Sequence, residues 1–404
     1  MKVLQINGVS HQGSTGKIVD SINRYLESKG VSYFVCYGIG FQKTDGYKFC
    51  YRYEQALYRR CSMISGYRYG FAPFSTNRLL RFIQKYKPDV VHLHSINGNC
   101  VNIYRLLKFL KKHKIPTVLT NHAEFLYTGN CTSTYGCDGY LDGCKTCGNL
   151  AWATDHALRN QTNKAWNKMK SAYEGFEKLI MVSVSPYTKE RAMRSPLVSD
   201  FEHRVVLNGV DTSVYKPTYA VDIREKFGIG EKKIGLFVTS GFSTQKEHLK
   251  GGYWFLKVAE RLKDRGYHFI VVGAETSDLK YDHITFAGRV SDPELMASLY
   301  TQADVSLAFS KSETFGMTCV ESLCCGTPFV GFLCGGTESV AIKEYTRFCP
   351  YGDVDRFVVN VEEMVSIFFN QKKQISNAAT ALYANEKMAT QYYEIYQEIR
   401  QDEI

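Results

Sequence analysis

The chain has 404 residues, of which 44% are hydrophobic and 22% charged, a composition typical of soluble globular proteins. This length suits two domains better than one. No apolar run approaches the roughly 20 residues that a transmembrane helix needs, and no signal-peptide core follows Met1. We therefore expect a cytoplasmic protein whose 13 cysteines are mostly reduced.

The net charge of +10 is concentrated in the first half of the chain. Residues 1–205 contain 29 Lys and Arg against 14 Asp and Glu, a surplus of +15, whereas residues 206–404 carry −5. Such a basic half is typical of proteins that contact a polyanion or an anionic membrane. The sequence has no zinc-finger spacing, RRM signature or basic leucine zipper, so we expect no nucleic-acid partner. We expect peripheral contact with the inner membrane face, and a solvated basic surface is the alternative.

The first half alternates between short apolar runs and amphipathic segments, the pattern of a doubly wound parallel sheet. Strands are predicted at Lys2–Asn7, Tyr33–Tyr37, Asp89–His94, Thr117–Asn121 and Leu179–Ser183. Helices are predicted at Gly16–Ser28, Asn77–Tyr86, Asn102–His113 and Gln161–Tyr173. This pattern predicts a Rossmann-like domain over residues 1–205, with a Cys-rich loop at 127–150.

The second half shows the same alternation after a stretch of turn-forming residues at 205–211. It predicts a second Rossmann-like domain over residues 206–375, and a C-terminal helical segment, 376–404, that packs back on the first domain. Strands are predicted at Ile234–Thr239, His268–Gly273, Ile284–Ala287, Asp304–Phe309 and Phe329–Phe332. Helices are predicted at Gly252–Lys263, Pro293–Thr301, Gly316–Cys325 and Val354–Asn370.

A glycine-rich loop follows the first predicted strand. It contains Gly13 and Ser14, just before the first helix, where backbone N–H groups are available to an anion. The spacing matches neither Walker A nor Gly-x-Gly-x-x-Gly. A phosphate site and an ordinary strand-to-helix turn therefore both remain open.

Two lysines and a short turn follow predicted strands of the second half. Lys246 and Lys250 come after the strand at 234–239, where a lysine can pair with a diphosphate. Arg289 and Val290 come after the strand at 284–287, where backbone groups can contact a base. A solvated loop and an ordinary turn are the alternatives.

Two glutamates eight residues apart bracket the start of a predicted helix. Glu313 lies in the loop after the strand at 304–309, and Glu321 lies about two turns into the helix. Ligands bind at this edge of parallel sheets, and N–H groups near Gly316 and Met317 form an anion site. Two carboxylates repel a bare phosphate but suit one that carries hydroxyl-rich groups, as in a nucleotide sugar. Two solvated surface acids are the alternative.

His122 follows the predicted strand at 117–121, where it can hydrogen-bond a sugar hydroxyl or a phosphate. His92 and His94 alternate along one strand and share a face, which favours buried structural roles. Residues 51–71 mix four arginines with six aromatic residues. That mixture suits a helix lying on an anionic membrane, and a helix covering an edge of the first domain is the alternative.

Four cysteines lie within 17 residues of one glycine-rich loop: Cys131, Cys137, Cys144 and Cys147. The last two have the two-residue gap of a zinc knuckle, whereas the gap between the first two is wider. A structural Zn²⁺ is the favoured interpretation. Disulfides, unliganded thiols and another metal remain open.

These motifs together resemble the retaining GT-B glycosyltransferases of family four (group 1), over nearly the whole chain. Residues 208–211 (Asn-Gly-Val-Asp) resemble the interdomain motif of that family, and residues 313–321 resemble its Glu-x7-Glu motif, which residues 325–328 and 335–336 continue. Residues 13–16 and the four cysteines resemble a subgroup of capsule and exopolysaccharide pathways. The resemblance implies an α/β fold of two Rossmann-like doubly wound parallel-sheet domains facing a cleft, with the first domain, residues 1–205, on the acceptor side.

The resemblance also implies a role for each motif. Glu321 would bind the ribose hydroxyls, Glu313 and His122 the donor sugar, and Lys250 the diphosphate. Family members usually have an arginine where this chain has Phe242, and Lys246 is the candidate substitute. The implied catalytic residues are Glu313, Lys250 and His122, and the implied donor contacts are Gly13, Ser14, Lys246, Arg289, Val290, Phe315, Gly316, Met317 and Glu321.

We therefore predict a retaining glycosyltransferase in cell-surface polysaccharide synthesis. It would move a sugar from a nucleotide-diphosphate sugar to a saccharide or lipid-linked saccharide acceptor, without a catalytic metal. A GT-B sugar-nucleotide epimerase and a noncatalytic glycan- or membrane-binding protein are the alternatives.

Overall fold

The computed structural model describes residues 1–11, 13–40, 46–154, 156–273, 279–368 and 370–401. The chain divides into two compact units. The first comprises Met1–Leu207 together with Met388–Ile404, and the second comprises Asn208–Lys387. No helix in the described part of the chain is both long and apolar enough to cross a membrane.

The first unit contains a parallel sheet of seven strands. Its central strands are almost fully buried, as expected for a sheet covered by helices on both faces. In chain order the strands are β1 Lys2–Val9, β2 Ser32–Ile39, β3 Tyr47–Lys48, β4 Val90–Leu93, β5 Thr117–Asn121, β6 Leu179–Ser183 and β7 Glu202–Val205. Their order across the sheet is β3-β2-β1-β4-β5-β6-β7.

Within the described residues up to 207, eight α-helices connect or flank these strands. Residues that favour helix starts precede two of them: the Asn102 side chain accepts a hydrogen bond from the Arg105 N–H (3.0 Å), and Ser185 precedes Pro186. The helices are α1 Gly13–Ser28, α2 Arg52–Ser65, α3 Pro73–Tyr86, α4 Ile103–Lys112, α5 Phe125–Thr128, α6 Leu150–Thr154, α7 Thr162–Tyr173 and α8 Pro186–Met193.

The second unit contains a parallel sheet of six strands. The strands are β8 Lys233–Val238, β9 Tyr267–Val272, β10 Ile284–Phe286, β11 Val305–Ala308, β12 Phe329–Phe332 and β13 Thr346–Cys349, in the order β10-β9-β8-β11-β12-β13. The helices are α9 Ile223–Phe227, α10 Gly252–Leu262, α11 Pro293–Gln302, α12 Met317–Cys324, α13 Gly336–Val340, α14 Val354–Ile367 and α15 Lys372–Tyr383.

The last helix, α16 (Asn385–Gln401), belongs to the first unit from Met388 onward. Its buried face, which includes Tyr392 and Ile395, packs with Val3 and Val90 of β1 and β4. The sequence places this return at residue 376, but α15 stays in the second unit because Ile375 is buried there and the Ser376 hydroxyl donates to the Cys324 carbonyl (2.7 Å). The final residues of the expected segment, 402–404, lie outside the described residues.

In both sheets the strand order reverses beside the first strand of the unit. The reversal lies between β1 and β4 in the first unit and between β8 and β11 in the second. Loops after the carboxyl ends of such strands border the crevice in which open α/β sheets bind ligands. Ligand-binding residues are therefore expected in the loops after β1, β8 and β11.

The strands absent from the sequence prediction are β3, β7 and β13, which are all edge strands. They have two to four residues, and most of their positions are partly exposed or exposed. An edge strand is paired on one side only, so it lacks the continuous apolar run from which buried strands are predicted.

Polar side chains form a buried network under α16. The His92 ring lies 2.6 Å (Nδ1) from the Tyr396 hydroxyl and 2.7 Å (Nε2) from the Thr120 hydroxyl. His94 Nε2 lies 2.7 Å from Gln5 Oε1. Burial lowers the pKa of both His92 and His94 well below its ordinary value, so both rings are neutral in the folded protein.

Because these rings stay neutral while those of the unfolded chain protonate near pH 6.5, unfolding takes up protons as the pH falls below that value. We expect the free energy of unfolding to be highest above pH 6.5 and to fall below it by about 1.4 kcal/mol per pH unit for each such histidine. Urea unfolding between pH 7.5 and 5.5 measures this slope. His94→Gln should make it shallower by about one proton, and an unchanged slope would contradict a neutral His94.

Candidate functional site

The loop that carries Glu313 is held by backbone hydrogen bonds to the loop after β12. The Glu313 N–H donates to the Cys334 carbonyl (3.0 Å), and the Gly336 N–H donates to the Glu313 carbonyl (2.8 Å). The Glu338 carboxylate accepts from the N–H groups of Cys334 (3.0 Å) and Gly335 (2.7 Å). The Glu338 side chain thus holds the second loop in place. Glu338 lies three residues after Gly335, the position of the glutamate in a helix-capping box, so this role can be recognised from the sequence.

Two glycines make this close approach between the loops feasible. Gly316, which precedes α12, has φ +91°, and a Cβ there would lie 2.2 Å from the Thr337 hydroxyl oxygen. A Cβ on Gly336 would lie 2.2 Å from the backbone of Thr314. The first N–H groups of α12, beginning at Met317, are among those that have no partner within a helix. Phe315 is buried beneath them and supports the loop.

Lys250 and Glu313 meet at the point where the strand order reverses. The Lys250 Nζ donates to Glu313 Oε1 at 2.7 Å, and both side chains are about one-third exposed (34% and 29%). Next to Lys250, Gly251 has φ +70°, and a Cβ there would lie 2.1 Å from the Phe309 carbonyl oxygen. The Lys311 N–H donates to the Leu249 carbonyl (2.9 Å). The loops after β8 and β11 are therefore bound to each other, with an opposite pair of charges at their junction.

Glu321 is oriented by two tyrosines that the sequence analysis did not identify. The fully buried Tyr300 donates its hydroxyl to Glu321 Oε2 (2.9 Å), and the Tyr215 hydroxyl also hydrogen-bonds this carboxylate. Burial, and then the Glu321 charge, raises the pKa of Tyr300 well above its ordinary value. Tyr300 is thus a neutral hydrogen-bond donor to the Glu321 carboxylate. No sequence signal links Tyr215 to Glu321, because they meet only through the fold.

Phe242 occupies an aromatic cluster instead of presenting a charge. Its ring lies 5.3 Å from the Phe286 ring and 6.0 Å from the Phe255 ring. Lys246 lies in the same loop, with its ammonium 5.5 Å from the centre of the Trp254 ring. The role of Lys246 as a substitute for the missing arginine stays a prediction.

Arg289 and Val290 follow the turn that ends β10. Gly288 adopts φ +65°, and its carbonyl accepts from the Gly273 N–H (2.7 Å), which joins the ends of β10 and β9. The Arg289 side chain is exposed and Val290 is half-buried. The turn leaves both residues near the carboxyl ends of neighbouring strands.

In the first unit, Gly13 and Ser14 begin α1, after β1 and beside the reversal of strand order. Gly13 adopts φ +67° with nothing within 4 Å of an added Cβ, so its approach side is open. His122 follows β5, and its Nε2 lies 3.1 Å from Nδ1 of the buried His94. Burial lowers the pKa of His122 to about 4, so its ring is neutral at pH 7 and suited to hydrogen bonding.

The four cysteines of the loop are all reduced, as are the other nine in the chain. Burial raises the pKa of Cys131, and Cys144, Cys147 and Cys137 raise it further. No three His, Cys, Asp or Glu residues in the described ranges are arranged as a metal-binding group. The zinc site stays a prediction.

A buried ion pair anchors this cysteine loop. Arg191 donates through Nε to Glu124 Oε1 (3.0 Å) and through Nη2 to the carbonyl of Cys137 (3.2 Å). Glu124 is 1% exposed and also accepts from the Tyr127 hydroxyl (2.6 Å). The loop therefore has a protein anchor of its own, which the sequence analysis missed because Glu124 and Arg191 are far apart in the chain.

Two family models match the chain, one in each half. Residues 16–214 match "Glycosyltransferase Family 4", and residues 235–366 match "Glycosyl transferases group 1". The second range contains Lys250, Glu313 and Glu321.

Similar proteins and structures extend over the whole chain. N-acetyl-alpha-D-glucosaminyl L-malate synthase from Bacillus anthracis is 21% identical over 97% of this chain and 95% of its own. The putative colanic acid biosynthesis glycosyl transferase WcaC from Escherichia coli (strain K12) is 20% identical over 99% and 100%. Sucrose-phosphate synthase from Thermosynechococcus elongatus has a TM-score of 0.68 at 15% identity, covering 99% of both chains.

Anabaena HepE in complex with UDP has a TM-score of 0.65 at 14% identity, covering 98% of this chain and 100% of its own. The matched structures share the fold of two parallel-sheet α/β domains. With both family models matched in their expected order, the chain belongs to the group 1 glycosyltransferases of family four and is a transferase of the GT-B fold.

Proposed function

We propose that this glycosyltransferase moves a sugar, with retention of configuration, from a nucleotide-diphosphate sugar to a saccharide or lipid-linked saccharide acceptor in cell-surface polysaccharide synthesis. The observation that carries the proposal is the Lys250–Glu313 pair beside the glycine-bounded start of α12. One relative named for colanic acid biosynthesis, and a solved lipopolysaccharide outer core galactosyltransferase with a TM-score of 0.62, support the pathway.

The charges around α12 suit a diphosphate that carries hydroxyl groups on both sides. Lys250 and the backbone N–H groups at Phe315, Gly316 and Met317 would supply positive potential for the phosphates. Without a ligand, Glu313 neutralises the Lys250 ammonium. A bound diphosphate would take over that ammonium, and the Glu313 carboxylate would then accept hydrogen bonds from the donor sugar.

The remaining donor contacts follow from the family resemblance and the positions of the residues. Glu321, held by Tyr300, would accept from the ribose hydroxyls, and backbone groups at Arg289 and Val290 would contact the base. The chemical step would be attack by the acceptor hydroxyl on the anomeric carbon from the face that the diphosphate leaves. Positive charge at Lys250 would stabilise the departing diphosphate.

In the first unit, Gly13 and Ser14 would approach the diphosphate, and a neutral His122 would hydrogen-bond the donor sugar. Since the pKa of His122 is about 4, the ring would contribute a hydrogen bond and not a positive charge near pH 7. The resemblance implies no catalytic metal, so any metal in this protein would be structural.

We also propose that the first unit contacts the inner, anionic face of a membrane through α2. Three large apolar side chains on this helix are strongly exposed: Tyr53 (72%), Leu57 (57%) and Ile64 (60%). Tyr58 on the opposite face is buried in the core. Exposed apolar residues on a helix that also carries arginines are typical of interfacial helices. One face of α2 covers the domain, and the other would contact lipid. The helix is therefore compatible with both interpretations of residues 51–71, the membrane helix and the helix that covers the first domain.

For the cysteine loop we propose a structural Zn²⁺ held by Cys131, Cys137, Cys144 and Cys147. Support comes from four reduced, neighbouring thiols and from the Gly139 N–H, which donates to the Cys137 sulfur (3.4 Å). Thiolate ligands gain from such second contacts. Binding would require the sulfurs to close around the ion, because the described residues do not present a ready ligand group.

Glu313→Ala should abolish transfer, and Lys250→Ala should reduce kcat by about 10²–10³-fold, because charge stabilisation of the leaving diphosphate is lost. The measurement is acceptor-dependent release of nucleotide from UDP-, GDP- and dTDP-sugars. Lys311→Ala, an exposed lysine in the same loop, is the matched control. Wild-type rates in either site variant would contradict the assignment. Conversion of the donor to an epimeric nucleotide sugar, without an acceptor and without net release of nucleotide, would favour an epimerase. Donor binding without any reaction would favour a binding protein.

Tyr300→Phe removes one hydrogen bond to Glu321 without changing the volume of the side chain much. We expect nucleotide binding to weaken about five- to ten-fold, which corresponds to the net contribution of one typical hydrogen bond. Tyr267→Phe is the control, since that buried hydroxyl has no hydrogen-bond partner within the described structure. Isothermal titration with the nucleotide diphosphate measures both. Equal affinity in Tyr300→Phe and wild type would show that Glu321 needs no positioning by this residue.

Metal analysis of purified protein, prepared without chelators, should find about one Zn²⁺ per chain if four thiolates bind it. Cys147→Ser should lower the zinc content and the melting temperature together, because metal binding contributes to folding. Cys61→Ser, outside the loop, should leave both unchanged. A wild-type protein without stoichiometric metal would refute the zinc site.

A further inference from the structure

A cavity of about 590 Å³ lies on the outer face of α3, away from the loops described above. Aromatic rings form its floor. The Tyr47 and Phe82 rings are stacked at 4.5 Å, and the Phe82 and Tyr86 rings at 5.8 Å. Phe82 and Tyr86 are four residues apart on α3, so they lie on one side of the helix. The floor is therefore a continuous apolar surface.

Three cations surround this floor: Arg78, Arg81 and Lys85. Arg78 is occupied by the Glu54 carboxylate and the Phe49 carbonyl. Arg81 and Lys85 are exposed, and within the described part of the chain neither has an ion pair, hydrogen bond or ring contact. Two unpaired cations above an aromatic floor suit a ligand with an anionic head and an apolar body.

The cavity is continuous with the exposed face of α2. The Arg78 guanidinium lies 4.8 Å from the centre of the Tyr51 ring, and the Tyr51 and Tyr53 rings are stacked at 5.7 Å. Tyr51 is 47% exposed and Tyr53 is 72% exposed. Apolar rings and basic residues thus extend from the cavity to the helix for which membrane contact is proposed.

The position of the cavity in the sheet argues against an acceptor subsite. Tyr86 ends α3 just before the amino end of β4, and its ring contacts Phe34 near the amino end of β2 (5.7 Å). His122, by contrast, follows the carboxyl end of β5. Reactions in parallel α/β sheets occur at the carboxyl ends. The Tyr86 end of this cavity therefore lies toward the opposite end of the sheet, and its Tyr47 side lies at the edge strand β3, away from the reversal of strand order.

We propose that this cavity binds the head group of an anionic phospholipid. Arg81 and Lys85 pair with the phosphate, and the upper part of the acyl chains lies against Tyr47, Phe82 and Tyr86. The inference rests on the membrane contact proposed for α2 and gives that contact a specific lipid class. Long basic side chains commonly place their charge at the head-group level while their stems cover apolar surface.

The test is co-sedimentation of the full chain with phosphatidylglycerol-containing vesicles and with pure phosphatidylcholine vesicles at physiological salt. Wild type should bind the former and not the latter. Arg81→Gln/Lys85→Gln should weaken binding to phosphatidylglycerol vesicles at least about ten-fold. The matched control is Lys108→Gln/Lys112→Gln on α4, two exposed lysines with the same spacing and unit. It removes the same charge and should change binding little.

Equal losses of vesicle binding in both double variants would overturn the lipid site in this cavity and would indicate that a diffuse basic surface binds the vesicles. Undiminished vesicle binding by Arg81→Gln/Lys85→Gln would overturn it as well, and so would preference for a soluble acidic oligosaccharide over vesicles. Transfer to a soluble acceptor is measured in parallel and should be unchanged in both double variants. Loss of lipid binding with transfer intact therefore separates failure of this inference from failure of the proposed transferase mechanism.

Discussion

The donor-side residues of the second unit depend on close backbone contact between the loops after β11 and β12. Hydrogen bonds at Glu313 join the two loops, and they form only because Gly316 and Gly336 have no Cβ to collide with the opposite loop. This contact sets the start of α12 and the position of the Glu313 carboxylate together. The loop that carries Lys250 is joined to the same structure through Lys311. The absence of a Cβ at these two glycines thus allows an acidic side chain, a basic side chain and the start of a helix to lie beside one another.

The two units accommodate their polar and charged side chains in different ways. In the first, the neutral His94 ring is hydrogen-bonded to His122 through one nitrogen and to Gln5 through the other, beneath the helix α16. Neutral rings avoid the cost of burying charge. In the second, Lys250 and Glu313, each about one-third exposed, form an ion pair with each other. An accessible ion pair can exchange partners when an anion binds. The buried His92 and His94 belong to the core of the first unit, and of these three histidines only His122 is partly exposed.

The family, the fold and the transferase class predicted from the sequence are confirmed. Buried strands were predicted best, because an unbroken apolar run between turn residues has few other interpretations; β5, β6 and β12 match to the residue. Edge strands such as β13 were missed, since partial exposure gives them no such run. The return of the chain was placed too early, because α15 is amphipathic and its partner in the second unit cannot be known from its own sequence.

The spacing of Glu313 and Glu321, the glycines around α12 and the basic first half are recognisable in the amino-acid sequence, since residue type and local spacing encode them directly. The contacts of Lys250 with Glu313 and of Tyr300 with Glu321 arise from the fold. So does the position of Arg81 and Lys85 around an aromatic cavity. Such contacts join side chains from different elements, so they depend on strand order and helix packing, which no local pattern encodes.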